Sequence, residues 1–232
     1  MNLDLVWRYA PSLISGFGVT ILCWSLGGAL GLLLGFAIAV LNRLPLPPLR
    51  WGLRVFVEIV RGTPFLVQLF LLYAGGPSIG LKLDATTAGI VGLGLYSSAY
   101  FAEIFRAGFS AVPIGQIEAV VSIGMAPFDT MMRVMLPAAL IAAVPSIVNM
   151  LIILSKETVV LSIITVPELT MASSLVLGRT FAAVEAYSVV AALYWGLTLA
   201  ISVGMGALER RMAGPLQSGR AWAPLLIEGR ES

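Results

Sequence analysis

Residues 113–137 read PIGQIEAVVSIGMAPFDTMMRVMLP, the one long segment between apolar runs that has the pattern of neither a turn nor a membrane span. Glu118 and Ala119 come early, Gly124 follows six residues after Glu118, and Leu136 and Pro137 close the segment where the next apolar run begins. This order predicts a short helix, a glycine hinge and the start of a second helix. What such a segment does depends on the chain around it.

That chain is 59% hydrophobic and only 11% charged over 232 residues, more apolar surface than a water-soluble globule of this size can enclose. The expected class is therefore all-α integral membrane. A net charge of +2 gives no basic field for nucleic acid. Histidine is absent and Cys23 is the lone cysteine, so zinc sites, haem ligation, Cys–His nucleophiles and intrachain disulfides are all excluded. No G-x-x-x-x-G-K-[ST] stretch occurs, so any nucleotide hydrolysis must be supplied by another chain. The opening MNLDLVWRYAP lacks a basic n-region, and its first apolar run is expected to be retained.

Uncharged stretches at 9–42, 62–81, 85–102, 134–155 and 186–208 each approach the roughly 20 residues that a helix needs to cross a bilayer core. They predict five spans, at 13–41, 55–75, 86–106, 133–155 and 185–208, in one membrane domain over 1–208. Residues 209–232 are polar and broken by Pro215, Gly219 and Pro224, and read as a cytoplasmic tail. Its residues 227–230 spell IEGR, a string also used in cleavable linkers. Between 158 and 185, Pro167, Glu168, Gly178 and Arg179 interrupt every apolar run, which predicts short interfacial or re-entrant helices rather than a sixth span.

Nine of the twelve arginines fall in three groups, Arg43, Arg50 and Arg54; Arg106 and Arg133; Arg210, Arg211, Arg220 and Arg230, while Arg8 near the N-terminus is offset by Asp4. By the positive-inside rule these regions are cytoplasmic, which puts the N-terminus outside and Lys82 with Asp84 in a short external loop. Within the first span Gly27, Gly31 and Gly35 recur every four residues, a spacing that lets another helix approach closely. Glu58 with Arg61 and Glu103 with Arg106 are three residues apart, and are expected as ion pairs at helix ends. Pro64 is expected to kink span two, and Gln68 to face protein or a water-filled path. Tyr96, Ser97, Ser98 and Tyr100 make span three polar. In span four Ser146, Asn149, Ile153 and Lys156 form one helical stripe, expected to line the interior and ending beside Glu157 and Thr158.

The spacing of Glu118, Ala119, Val120, Gly124, Val134, Leu136 and Pro137 resembles the EAA loop of bacterial ATP-binding cassette importer permeases. Val120 and Val134 depart from the family's alanine and isoleucine, both conservatively. Three stretches, EIVRGTPFLVQL, AYFAEIFRAGFSAVPIGQIEA and LSKETVVLSIITVPELT, are similar to the polar amino acid uptake family of histidine, glutamine and arginine type, and together cover 58–170.

The resemblance implies five spans with a cytoplasmic coupling helix between spans three and four, in the segment 113–130. It implies a non-catalytic subunit of the bacterial inner membrane, with no cofactor of its own. Two ATPase subunits would carry ATP and Mg, beside a second permease and an extracytoplasmic substrate-binding protein. Contact with the ATPase then falls to Ile117, Glu118, Ala119, Ser122, Gly124 and Met125. Substrate-pocket candidates are Gln68, Tyr96, Ser97, Asn149, Lys156, Glu157 and Thr158, with Tyr96 standing where several relatives have asparagine. Two other readings are a structural partner permease without its own pocket and an ion-coupled secondary transporter. The second would need charges at the membrane midplane, whereas most charges here sit at helix ends.

Overall fold

The contact that organises the molecule is between α1 (Leu3–Leu41) and α4 (Ala85–Ser110). Gly27, Gly31 and Gly35 of α1 lie directly on α4. A Cβ at Gly27 would stand 2.7 Å from the Leu93 Cβ, and one at Gly35 2.8 Å from the Ser98 carbonyl. Only glycine permits this approach, and the backbones close to a distance at which dispersion holds them together. Ser97 and Ser98, buried in the seam, donate to the Leu93 and Leu95 carbonyls at 2.7 Å each, so neither hydroxyl is left unpaired in an apolar setting. Residue 27 meets 93 and residue 35 meets 98, so α1 and α4 run parallel.

This computed structural model describes the backbone of residues 3–220 and the side chains of residues 7–206. The IEGR stretch lies outside the described residues.

Around α4, two-thirds of whose apolar span is buried, the other elements are arranged as an incomplete shell. α2 (Pro47–Gly62) and α3 (Phe65–Phe70) pack on one flank, and α3 continues through a π turn and a short 3-10 turn to Ile79. After α5 (Ile114–Ser122) and the single turn α6 (Pro127–Asp129), the chain enters α7 (Leu136–Glu157), which packs on the other flank of α4. The Trp24 indole donates to the Leu151 carbonyl at 2.9 Å, tying α1 to α7. α8 (Leu169–Thr180) leans on α1, and α9 (Ala183–Arg220) closes the order at the periphery, with 11% of its apolar span buried.

Among the described residues four helices are long and apolar enough to cross a membrane by themselves: Trp7–Leu41, Ala85–Ser110, Pro127–Ile164 and Ala183–Gly206. The remaining candidate is the pair Pro47–Gly62 and Phe65–Ile79, which is bent by 110°. The kink expected at Pro64 is thus a full break. The helix of the last span runs on beyond 208, since α9 continues through Pro215 to Arg220. The segment between α7 and α9 is a 3-10 turn (Thr158–Ile164) followed by α8, short helices as its interruptions predict.

Candidate functional site

The site begins at the break in span two. Pro64 has no N–H, so the Val60 carbonyl four residues earlier loses the donor a continuous helix would give it. Gln68 replaces it: its Nε2 donates to Val60 O at 2.7 Å, and also reaches Thr63 O at 3.0 Å and Thr63 Oγ1 at 2.9 Å. The Thr63 hydroxyl in turn donates to Ile59 O at 2.8 Å. Gln68, a pocket candidate on sequence grounds, is therefore the brace that holds the break open.

The break turns Arg61 and Pro64 toward α4 and the end of α7. Together with Tyr96, Tyr100 and Glu157 they line a cavity of about 480 Å³, floored by Phe65. The ring centroids of Phe65 and Tyr96, and of Tyr96 and Tyr100, are 5.0 Å apart in each case, so three aromatic rings form a continuous wall. Arg61 places its guanidinium 5.6 Å from the centroid of Tyr100. One cavity thus carries a cation, an anion, two phenols and an aromatic face, the groups needed to hold a small zwitterion.

Of the sequence candidates, the structure gathers Tyr96 and Glu157 in this cavity. Ser97 is buried in the α1–α4 seam and Thr158 is buried behind the wall. Asn149 and Lys156, with Ser146 and Ile153, lie on an exposed stripe of α7, so the face expected to line the interior is uncovered within a single chain.

The two expected ion pairs behave differently. Glu103 and Arg106 pair along α4, with Nη2 to Oε2 at 2.8 Å and Nε to both oxygens at 3.1 Å. Arg61 does not pair with Glu58 along its own helix. Its nearest acid is Glu103 on α4, at 3.8 Å, while Glu58 makes no ion pair among the described residues. Arg61 is in the last turn of α2, which packs on α4, and its guanidinium lies on that side. Arg61 also borders a second cavity, of about 530 Å³, lined by Asn42, Arg43, Arg54, Glu58, Glu103 and Arg106.

Behind the first cavity lies a network that sequence reasoning passed over. Glu168, fully buried, caps α8 by accepting from the Met171 N–H at 2.8 Å, and its other oxygen accepts from the Tyr194 hydroxyl at 3.2 Å. The Tyr194 oxygen stands 3.1 Å from Thr158 Oγ1, and the Leu169 N–H donates to Thr20 Oγ1 at 3.1 Å. Three helices, α1, α8 and α9, are thereby tied to one another and to the turn that follows Glu157. An acid between a proline and an apolar run is a helix-start signal, and was the available clue.

At the other end of the molecule, α5 stops as the sequence predicts. Gly124 has φ of +82°; its N–H donates to Val121 O at 2.9 Å and the Met125 N–H to Val120 O at 3.1 Å, the paired bonds of a glycine-capped helix end. Ile117 is half-buried against the cluster of Phe109, Val112 and Ala139. Glu118, Ala119, Ser122 and Gly124 are exposed, and Met125 is partly so. Ile114 and Ile123 are 72% and 79% exposed, which leaves this helix with apolar surface that its own chain does not cover.

Residues 31–214 match the family described as the binding-protein-dependent transport system inner membrane component. The chain belongs to that family. It is 35% identical over 212 residues to the probable amino-acid ABC transporter permease YckA of Bacillus subtilis, covering 91% of this chain and 94% of that protein. It is 35% identical over 217 residues to the glutamine transport system permease GlnP of Escherichia coli, covering 89% and 95%. Among solved structures, an amino acid ABC transporter crystallised with histidines superposes with a TM-score of 0.86 at 36% identity, covering 91% of this chain and 98% of that one. The MetNI methionine transporter shares the fold, with a TM-score of 0.75 at 21% identity.

The chain is thus a multi-pass inner-membrane permease subunit of an ABC importer, and ATP hydrolysis belongs to separate ATPase subunits. Membership also implies a binding protein and a second permease in the working assembly. The importer reading prevails over an ion-coupled secondary transporter.

Proposed function

We propose that this permease conducts a polar amino acid through the cavity at the break in span two, and that α5 receives the movement of the ATPase. The observation that carries the first part is the meeting of Arg61, Tyr96, Tyr100 and Glu157 in one 480 Å³ space. The printed names of relatives, which include glutamine, arginine and cystine permeases, agree with a zwitterionic cargo.

The parallel course of α1 and α4 supports five spans. Both end at the same side, where the Arg43 guanidinium lies 4.0 Å over the Phe109 ring, so the chain between them crosses back once. The broken pair of helices makes that crossing. Gly108 packs against the Ala139 carbonyl, so α7 starts at the same side, and Arg133 precedes it there. This concentration of arginine makes that side cytoplasmic and the N-terminus extracytoplasmic. It puts α5, with its uncovered Ile114 and Ile123, where an ATPase groove with bound ATP and Mg would meet it. The uncovered polar stripe of α7 faces the second permease, identical or related.

Both parts are tested in liposomes holding the permease, its ATPase and its binding protein. Glu118→Arg should leave the complex assembled and reduce transport-coupled ATP hydrolysis to the basal rate. Glu157→Gln should weaken amino acid binding with coupling intact. Uptake that persists without the ATPase, or binding unchanged in Glu157→Gln, would overturn the corresponding half.

A further inference from the structure

Arg61 is the one residue common to the two cavities, one bounded by Tyr96, Tyr100 and Glu157, the other by Glu58, Glu103 and Arg106. Its bonding is incomplete. Glu103 stands 3.8 Å away, beyond hydrogen-bond length, and is already held by Arg106 at 2.8 Å. The guanidinium makes no hydrogen bond among the described residues; its other neighbour is the face of Tyr100. A planar fork of five N–H donors, resting on an aromatic ring and facing a cavity, is matched in geometry and charge by a carboxylate. The opposite charge in the same cavity is Glu157, which suits an ammonium.

We propose that Arg61 binds the carboxylate of the transported amino acid and serves as the partition between the two cavities, releasing the carboxylate by exchanging it for Glu103. This rests on the reading of the first cavity as the cargo site. With cargo bound, Arg61 leans to the carboxylate and the loose contact with Glu103 is given up. When Arg61 turns to Glu103, the carboxylate loses its counter-charge and faces Arg43, Arg54 and Arg106 in the second cavity, on the side of the arginine cluster. Exchange needs a competitor that is present but weakly engaged, and a Glu103 shared with Arg106 meets that condition. The step moves ions and breaks no covalent bond.

The test uses the purified permease–ATPase complex without the binding protein, so that only the permease selects. Equilibrium binding is measured with L-glutamine, L-arginine and L-histidine, and with 4-aminobutanamide, agmatine and histamine, which lack the α-carboxylate. Wild type should bind at least one of the amino acids and prefer it over its amine by about tenfold or more. Arg61→Ala should lose that preference, binding acid and amine alike, and Arg61→Lys should restore part of it because it keeps the charge without the fork. Glu103→Gln removes the competitor, so binding should tighten while turnover in liposomes falls, lowering KM and kcat together.

A wild-type complex that binds none of the three amino acids overturns the cargo-site reading and this inference with it. Wild-type binding that depends on Glu157 while Arg61→Ala keeps its preference overturns the role of Arg61 alone. Assembly of Arg61→Ala is checked by the ratio of permease to ATPase; if it fails, Arg61→Lys carries the test, and undiminished preference there together with weaker binding in Glu103→Gln overturns the proposal.

Discussion

Gln68 illustrates how much a single side chain decides in a membrane protein. Removing a backbone donor in an apolar setting leaves a carbonyl unpaired, and this chain answers with an amide that reaches back eight residues to Val60 O. Gln68→Leu keeps the volume and removes the donor. It should destabilise the purified complex by about 2 kcal/mol, the cost of a buried unpaired carbonyl, seen as a lower melting temperature. Gln68→Glu should be worse, because a carboxylate would face three acceptors; a melting temperature at or above wild type in either variant removes Gln68 from this role. Asp84 is a simpler case. It caps α4 by accepting from the Thr86 and Thr87 N–H groups at 3.0 Å, and the Thr87 hydroxyl and these amides hold its carboxyl below the ordinary aspartate value. Its folded value is depressed, so its contribution is present above the unfolded value and is lost as pH falls through the folded one. Asp84→Asn should accordingly flatten the loss of stability on acidification in that range, as read by melts across pH.

Elements built from long apolar runs were legible because burial in lipid depends on composition and length, which a sequence displays directly. The spacing of Gly27, Gly31 and Gly35 likewise announced a close helix contact, and α4 is what meets it. The depth of the break in span two was not legible. Pro64 signals a kink, but a bend of 110° depends on Gln68 and Thr63 closing the exposed carbonyls, a tertiary choice with no spacing rule. Nor was it legible that Arg61 would lie nearest Glu103 on α4 when its own helix offered Glu58 at the favoured spacing. Glu168 was missed because a lone acid in an interrupted segment reads as a solvent-facing break until Tyr194, 26 residues later, is seen to donate to it. α5 is the opposite case, since its glycine end could be read from Gly124 alone. Gly124→Ala puts a side chain at φ of +82°, at a cost of about 1–2 kcal/mol. The end of α5 should fray, so that stimulated ATP hydrolysis falls while equilibrium binding of amino acid is unchanged. Gly124→Asn should fall between the two. Loss of amino acid binding in Gly124→Ala would show that α5 does more than transmit movement.

For the whole molecule, the parallel run of α1 and α4 constrains topology more strongly than a count of apolar helices. If α1 and α4 both span, their parallel course requires the segment between them to cross back, whatever its own hydropathy, and the broken pair is the proposed crossing. The prediction can be read without disturbing the site, because Cys23 is fully buried and should be silent to a membrane-impermeant maleimide. Ser78, exposed in the 3-10 turn that ends the broken pair, and Ser110, exposed at the far end of α4, are separated by the full length of that helix. In spheroplasts Ser78→Cys should label and Ser110→Cys should not, and permeabilisation should expose Ser110→Cys. If both label from the same side, α4 does not cross, the need for the pair α2–α3 to cross back is lost, and the placement of α5 on the ATPase side falls with it. If the pattern is reversed, the five crossings stand but the arginine-rich side faces outward, which no importer fed by an external binding protein could use.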